Sequence, residues 1–393
     1  MKITLFDGIH HEKLKPLTFT RPVSDLRVGI ETIKEKWNFY ASEPVQIRTK
    51  DYLKSLFKSN DKEGGIGISA SVLPSKDLIE EISELGENQI LLKEGNVIAI
   101  HPLPPIDENP NEFLKNFKKI ESEVDFSQIN HPWDIFRLNG EEIKADLKRI
   151  KKNKQFIEPS KTNTIIGDEV YIEKGATVEC AILNSTAGPI YVAAGAEIME
   201  GSIVRGPLAM LKGSVLKLGA KIYGPTTIGP FSKVGGEVNN SVIQGYSNKG
   251  HDGFLGNSVI GEWCNLGADT NNSNLKNNYG TVKAWSYLEQ KYVSTDLQFC
   301  GLIMGDHSKS GINTMFNTGT VVGVNANVFG GGFPEKFIPS FSWGMEKGSE
   351  YNFDKAMEVA EKVCERRNVA LTKDHITVLK HVFEETKKSR QSN

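Results

Sequence analysis

The residues best suited to chemistry fall in one stretch, HDGFLGNSVIGEWCNLGADT, from His251 to Thr270. His251 lies in NKGHDG, Asn248 to Gly253, a loop composition rather than an element interior. Imidazole titrates near pH 6.5, so a histidine placed on a loop can take a proton at neutral pH and return it later. Six asparagines stand between Asn265 and Asn278. Their amides both donate and accept, which suits hydroxyl-rich ligands, while some of them fit strand ends or left-handed turns instead. Asn271 and Asn272 are the better candidates for a buried asparagine ladder.

The elements that position this stretch follow an unusual period. Val192, Ile198, Val204, Met210, Leu216, Ile222, Ile228 and Val234 recur at every sixth position. Four residues after each stand Ala196, Ser202, Leu208, Ser214, Ala220, Thr226, Ser232 and Val238, most of them small. Ile166, Ile172 and Val178 show the period in a shifted frame; Phe254, Ile260 and Leu266 resume it; Met304, Ser310, Phe316, Val322 and Val328 close it. A period of six matches neither an α-helix nor an alternating strand. It fits a solenoid that turns a corner every six residues and sends one aliphatic chain inward from each face. Most of the 37 glycines fall after position 160, where corners need them. NKGHDG and the segment from about Asn271 to Phe299 interrupt the coils, and such interruptions are where solenoids bind ligands.

The solenoid is expected over 159–345. Before it, residues 1–158 read as an α/β domain. A strand runs from Ile3 to Phe6, a hairpin turns at Glu94-Gly95-Asn96, and DYLKSLF, KDLIEEISEL and Glu141–Lys154 carry helical spacing. After it, residues 346–393 predict a helical tail, with Val359, Ala360 and Val363 on one helix and Thr372 capping a second. The chain has 393 residues, 47 basic against 49 acidic and a net charge of −2. That balance argues against a protein built to grip nucleic acid or an anionic membrane. Cys180, Cys264, Cys300 and Cys364 show no disulfide or zinc spacing and read as reduced, buried thiols. With no signal peptide in MKITLFDGIHHEKL and no long apolar run, the expected location is cytoplasmic.

The central stretch resembles the acetyltransferase half of the bifunctional bacterial family that makes UDP-N-acetylglucosamine. In that family a catalytic His stands three residues before an aromatic-aliphatic-Gly triplet, here Phe254-Leu255-Gly256 after His251. The family's N-[IL]-G-A-G-T run corresponds to Asn265-Leu266-Gly267-Ala268-Asp269-Thr270, and Gly301–Gly323 is similar to its closing coils. The resemblance implies a left-handed parallel β-helix, homotrimers with sites between subunits, and acetyl transfer from acetyl-CoA to the amine of glucosamine-1-phosphate. It implies His251 as the base, Phe254, Asn265 and Asn274 beside sugar and acyl group, and Ala268, Gly311 and Gly323 along the acetyl-CoA. The chain departs from the family in several places. Phe254 replaces a Tyr, Asp269 a Gly, and Asn239 a phosphate-clamping Lys, which leaves Lys249, Lys276 and Lys283 as candidates for the phosphate.

The first domain resembles the sugar-phosphate nucleotidyltransferases in KPLTFTRPVSDLRVG, Lys15 to Gly29, and in HPWDIFRLNG, His131 to Gly140. The family's G-x-G-T-R loop is missing: DGIHHEKLK keeps only Gly8, and Val23 stands where a Lys is expected. A turn lacking those backbone amides needs other groups to neutralise a triphosphate. Lys15, Arg21 and Arg27, with His10 or His11 nearby, are the candidates for binding UTP, with Mg²⁺ serving the nucleotidyl step. Two rivals stay open. One is an acyltransferase for another amino sugar or nucleotide sugar with an inactive first domain; the other is a non-catalytic scaffold or sensor.

Overall fold

The computed structural model describes residues 1–59, 64–105 and 114–392. The six-residue period is realised as a parallel β-solenoid of about ten turns. Its three faces are sheets of ten, eight and six short strands. Parallel register stacks each inward residue on its counterpart one coil away. Val192 pairs with Met210 and Met210 with Ile228; Ile198 pairs with Leu216 and Leu216 with Val234; Val204 pairs with Ile222. These residues form one continuous apolar core down the axis. The corners take left-handed backbone, supplied by Gly195, Gly201, Gly213 and Gly219 in the early coils. Later coils place Phe231, Tyr246, Trp263 and His307 there.

Two positions of the expected ladder are displaced. Leu255, not Phe254, takes the inward position beside Val238, and Phe254 is half-buried. Ile165, not Ile166, occupies the row of Leu183, and both are exposed at this first coil. A one-residue shift in a strand exchanges the faces, and a lone aliphatic match cannot show which neighbour turns in. Asn271 and Asn272 form no ladder: they are neighbours on one strand, Met315 and Phe316 face them one coil on, and only Asn272 is buried. Asn272 is 4% exposed and its amide brackets Gly256, accepting from its N–H at 2.9 Å and donating to its carbonyl at 3.1 Å. Asn271 Oδ1 accepts from the Phe254 N–H at 2.7 Å.

The chain divides into two compact units. The first comprises 1–14, 21–26 and 31–131. It holds β1 (Ile3–Phe6), β2 (Gln46–Arg48), β3 (Ile66–Ser69), β4 (Gln89–Lys93), β5 (Asn96–His101) and β6 (Lys118–Glu121) in the order β2-β1-β3-β5-β4-β6. Strands β1, β2 and β3 are parallel, and β4–β5 is the expected hairpin, turning through Glu94 and Gly95 with positive φ. DYLKSLF forms only a short 3₁₀ turn at Asp51–Leu53, whereas KDLIEEISEL gives the helix Lys76–Ser83, capped by the Ser75 hydroxyl.

The second unit comprises 15–20, 27–30 and 132–393, so it takes in residues short of position 159. The reason lies in a helix, Asp134–Ile150, that starts seven residues before the expected Glu141. Ile143 and Leu147 on it bury against Ile30, Tyr191, Ala209 and Leu211. Polar ties complete the strap. Asn139 Oδ1 accepts from Gly29 N–H at 2.8 Å, Asp146 Oδ2 from Ile30 N–H at 2.7 Å, and the Gln244 amide exchanges two bonds with the Arg27 backbone. Gly29 has φ +79, and a Cβ there would lie 2.5 Å from Asp146 Oδ2.

The tail forms helices Phe353–Glu365, Lys373–Glu385 and Lys387–Ser392, with Thr372 capping the second as expected. Lys15 pairs with Glu385 at 2.5 Å, and the buried Arg390 pairs with Glu350 at 2.9 Å. Among the described residues no helix is long and apolar enough to cross a membrane. Cys264, Cys300 and Cys364 are buried as expected, but Cys180, at a left-handed corner, is exposed.

Candidate active site

Each inward position of the eight-stranded face is preceded by a residue that points outward. In four consecutive strands that outward row reads Lys233, Asn248, Asn265 and Lys309. Strand spacing sets these side chains about 4.8 Å apart. The row floors a cleft of about 640 Å³, and His251 opens onto it together with Asn265 and Ala268. His251 is exposed, as a base that must meet a substrate has to be.

Beside it, Lys249 does something the spacing alone did not reveal. It stands inward, in the row of Val234, and is 3% exposed. Its ammonium returns to the loop and donates to the His251 carbonyl at 2.6 Å. Burial lowers its pKa to about 8, against the opposing pull of Asp252 and Asp269.

One wall of the cleft is aromatic. Tyr246 and Trp263 stack at 4.2 Å and 14°, and Phe231 and His307 extend the column at 5.2 and 6.2 Å. The left-handed corners stack one ring per coil. The remaining cleft residues include Lys217, Lys233, Lys309, Arg366 and Arg367. Reading the motifs missed all of these. The signal for Lys233 and Lys309 was available, since each immediately precedes an inward position. Arg366 and Arg367 lie about 100 residues away in sequence, and only packing brings them here.

The other expected site residues lie elsewhere. Phe254 and Asn274 do not line this cleft; they converge over Gly256, where a Cβ would meet Phe254 Cζ at 2.5 Å and Asn274 Nδ2 at 2.7 Å. The Asn274 amide donates to Asn257 Oδ1 at 2.8 Å. Lys276 donates to the Thr281 carbonyl at 2.7 Å, and Lys283 is exposed on the hairpin Lys283–Ser286/Lys291–Ser294. Gly311 packs directly against Gly267, whose Cβ would lie 2.6 Å from the Gly311 carbonyl carbon. Gly323 sits on the next coil and accepts from the Ser308 hydroxyl at 2.6 Å. Asp269 takes the left-handed corner, φ +56, that explains why a Gly suits this position.

In the first unit, the carboxyl ends of the parallel strands carry Asp7, Thr49 and Ser69, the usual place for a ligand in such sheets. Gly8, with φ +51, leads into a helical turn, His10–Lys13, in place of a phosphate-cradling loop. Both histidines are buried. His10 Nε2 lies 3.0 Å from Asn130 Oδ1, and burial lowers its pKa to about 4; His11 Nε2 lies 3.3 Å from the Tyr52 hydroxyl. Arg21 faces Asp25 at 3.8 Å in this unit. Lys15 and Arg27 belong instead to the second unit, within the ties described above.

Residues 3–155 match the family model for sugar nucleotidyl transferases. Bifunctional protein GlmU of Methanocaldococcus jannaschii is 30% identical over 204 residues, 51% of this chain and 42% of that protein. The GlmU protein of Methanococcus vannielii is 25% identical over 329 residues, 81% of this chain and 70% of that protein. The uncharacterized acetyltransferase YaiX of Escherichia coli O6:K15:H31 is 24% identical over 225 residues, 56% of this chain and 89% of that protein. The chain thus spans less than half of the first relative's length. It is similar to sugar nucleotidyl transferases in its first part and to acetyltransferases in its coils, which form a parallel β-solenoid.

Proposed function

We propose, from the likeness to the GlmU proteins, that the solenoid transfers an acetyl group from acetyl-CoA to the amine of glucosamine-1-phosphate. The observation that carries the reading is the sharing of one cleft by His251, Asn265, Ala268 and a group of cations. The amine attacks the thioester carbonyl and a C–N bond forms. His251 removes the amine proton, the C–S bond breaks, and the imidazolium returns the proton to the departing thiolate. Asn265 orients the sugar, Ala268 follows the acetyl-CoA, and the lysines Lys217, Lys233 and Lys309 hold the sugar phosphate. Lys249 acts through the loop: a desolvated ammonium on the His251 carbonyl fixes where the imidazole stands.

The family resemblance supports a homotrimer whose sites draw on two subunits, with Phe254 and Asn274, which do not line this cleft, serving a neighbouring subunit's site; light scattering tests it, and a monomer at micromolar concentration overturns it. Free-thiol release from acetyl-CoA, measured with glucosamine-1-phosphate for wild type and His251→Ala, tests the reaction. Unchanged turnover in the variant sinks the role of His251.

The companion proposal is nucleotidyl transfer from UTP to the acetylated sugar phosphate by the first unit, tested by pyrophosphate release. The residues present do not fit a Mg²⁺ ligand set. Asp7 at the end of β1 is buried, and its carboxylate accepts from Thr49 Oγ1 at 2.5 Å and Val23 N–H at 2.9 Å. Burial raises its pKa, which disfavours the charged form a cation needs. Among the described residues no group of three His, Cys, Asp or Glu is gathered to hold a metal.

A further inference from the structure

The helix Phe353–Glu365 ends in Arg366 and Arg367, and both side chains line the cleft onto which His251 opens. The Arg367 guanidinium donates to Asn248 Oδ1 at 2.9 Å, which pins the helix end to the outward row of the solenoid. With Lys217, Lys233 and Lys309 they put five cations in one cleft, and no carboxylate side chain lines it. Among the described residues none of the five is ion-paired. Repulsion shows at two of them. Lys233 is lowered first by burial and then by Arg367, Lys217 and Arg366, against the smaller pull of Glu197; Arg367 is lowered by burial and then by Arg366. Unpaired like charges held this close destabilise the fold unless an anion joins them.

We infer that the C-terminal helix completes, within the same chain, a subsite for the diphosphate group of a nucleotide-bearing substrate. A single phosphate monoester carries only about −2 at neutral pH, fewer charges than the cleft supplies. Two linked phosphates match it better, and two adjacent guanidinium forks can each grip a phosphate through paired N–H donors. The cleft, at about 640 Å³, has room for more than a sugar phosphate. It also offers apolar surface for a nucleoside: Ile312 lines it while 72% exposed, and Tyr246 and Trp263 line it as well. This diphosphate can belong to the acyl donor, as the ADP portion of coenzyme A, or to the acceptor, as a nucleoside-diphosphate amino sugar.

The inference rests on the acetyl-transfer reading of the same cleft, and binding measurements separate the two. Calorimetry with coenzyme A, UDP and glucosamine-1-phosphate is compared for wild type, Arg366→Ala/Arg367→Ala and His251→Ala. The double variant gives up one hydrogen bond and relieves the like-charge repulsion, two opposed effects, and a cooperative thermal transition shows that it still folds. The expected result is that one diphosphate ligand weakens at least 10-fold in the double variant, while glucosamine-1-phosphate weakens far less. Loss for coenzyme A identifies the donor as its source, and loss for UDP identifies a nucleotide-linked acceptor. His251→Ala should bind as wild type does while losing turnover. If wild type turns over no acetyl-CoA yet the 10-fold loss persists, the reaction reading fails and the subsite stands. Equal binding by the double variant and wild type, or equal weakening of the monophosphate, overturns the subsite.

Discussion

Replacing Lys249 by Met should make the protein more stable and less active. The side chain is 3% exposed and stands in the same inward row as Val234, between aliphatic neighbours on either coil. Its pKa falls from 10.5 to about 8 through burial. At about 1.4 kcal/mol per unit, holding that ammonium charged costs the fold about 3 kcal/mol at pH 7. Met has nearly the same length and no charge, so it recovers most of this cost and loses a hydrogen bond worth about 1 kcal/mol. The net gain is about 2 kcal/mol, or roughly 4–8 °C in Tm.

The sign with pH follows from the same shift. Between pH 8 and 10.5 the unfolded lysine binds its proton while the folded one has released it, so wild-type stability rises with pH across that window. The advantage of Lys249→Met is therefore full at pH 7 and shrinks towards pH 10.5. Thermal denaturation at pH 7, 8.5 and 10 measures it. The variant should also lose kcat for acetyl transfer, roughly 10-fold or more, with KM for the sugar phosphate little changed, because the His251 loop loses its tether. A variant less stable than wild type at pH 7, or an advantage that does not fall with pH, refutes the argument. A raised KM with intact kcat would make Lys249 a phosphate ligand instead.

His251→Ala should lower acetyl transfer by about 10²–10⁴-fold with little change in Tm, since the side chain is exposed; thiol release and thermal denaturation read the two effects. Asn272→Ala leaves the N–H and carbonyl of Gly256 without their amide partner and should cost about 1–3 kcal/mol, read as a lower urea midpoint. Gly29→Ala forces a Cβ to within 2.5 Å of Asp146 Oδ2 at φ +79 and should destabilise by about 1–3 kcal/mol in the same assay.

What could be read from the residues divides along a physical line. The solenoid was legible because its contacts are periodic: a coil repeats its register, so the spacing Val192, Ile198, Val204 already encodes which side chains meet. By the same logic the cleft floor was legible in principle, since Lys233, Asn248, Asn265 and Lys309 each precede an inward position. Motif matching passed over three of the four because it weighs likeness, not facing. The opposite failure occurs at Lys249. Its motif position beside His251 suggested a phosphate ligand, but the register turns it inward, where the aliphatic residues of neighbouring coils desolvate it. Arg366 and Arg367 were beyond reach, because no local rule says which coil a helix about 100 residues downstream will cover. The segment Lys15–Gly29 teaches the same lesson from the other end. Its basic residues fitted a nucleotide motif, yet Lys15 pairs with Glu385 and the Arg27 backbone with Gln244. A family trace can thus survive in a chain whose contacts tie those residues to the solenoid, and charge in a motif has to be followed to its partner before it is assigned to a ligand.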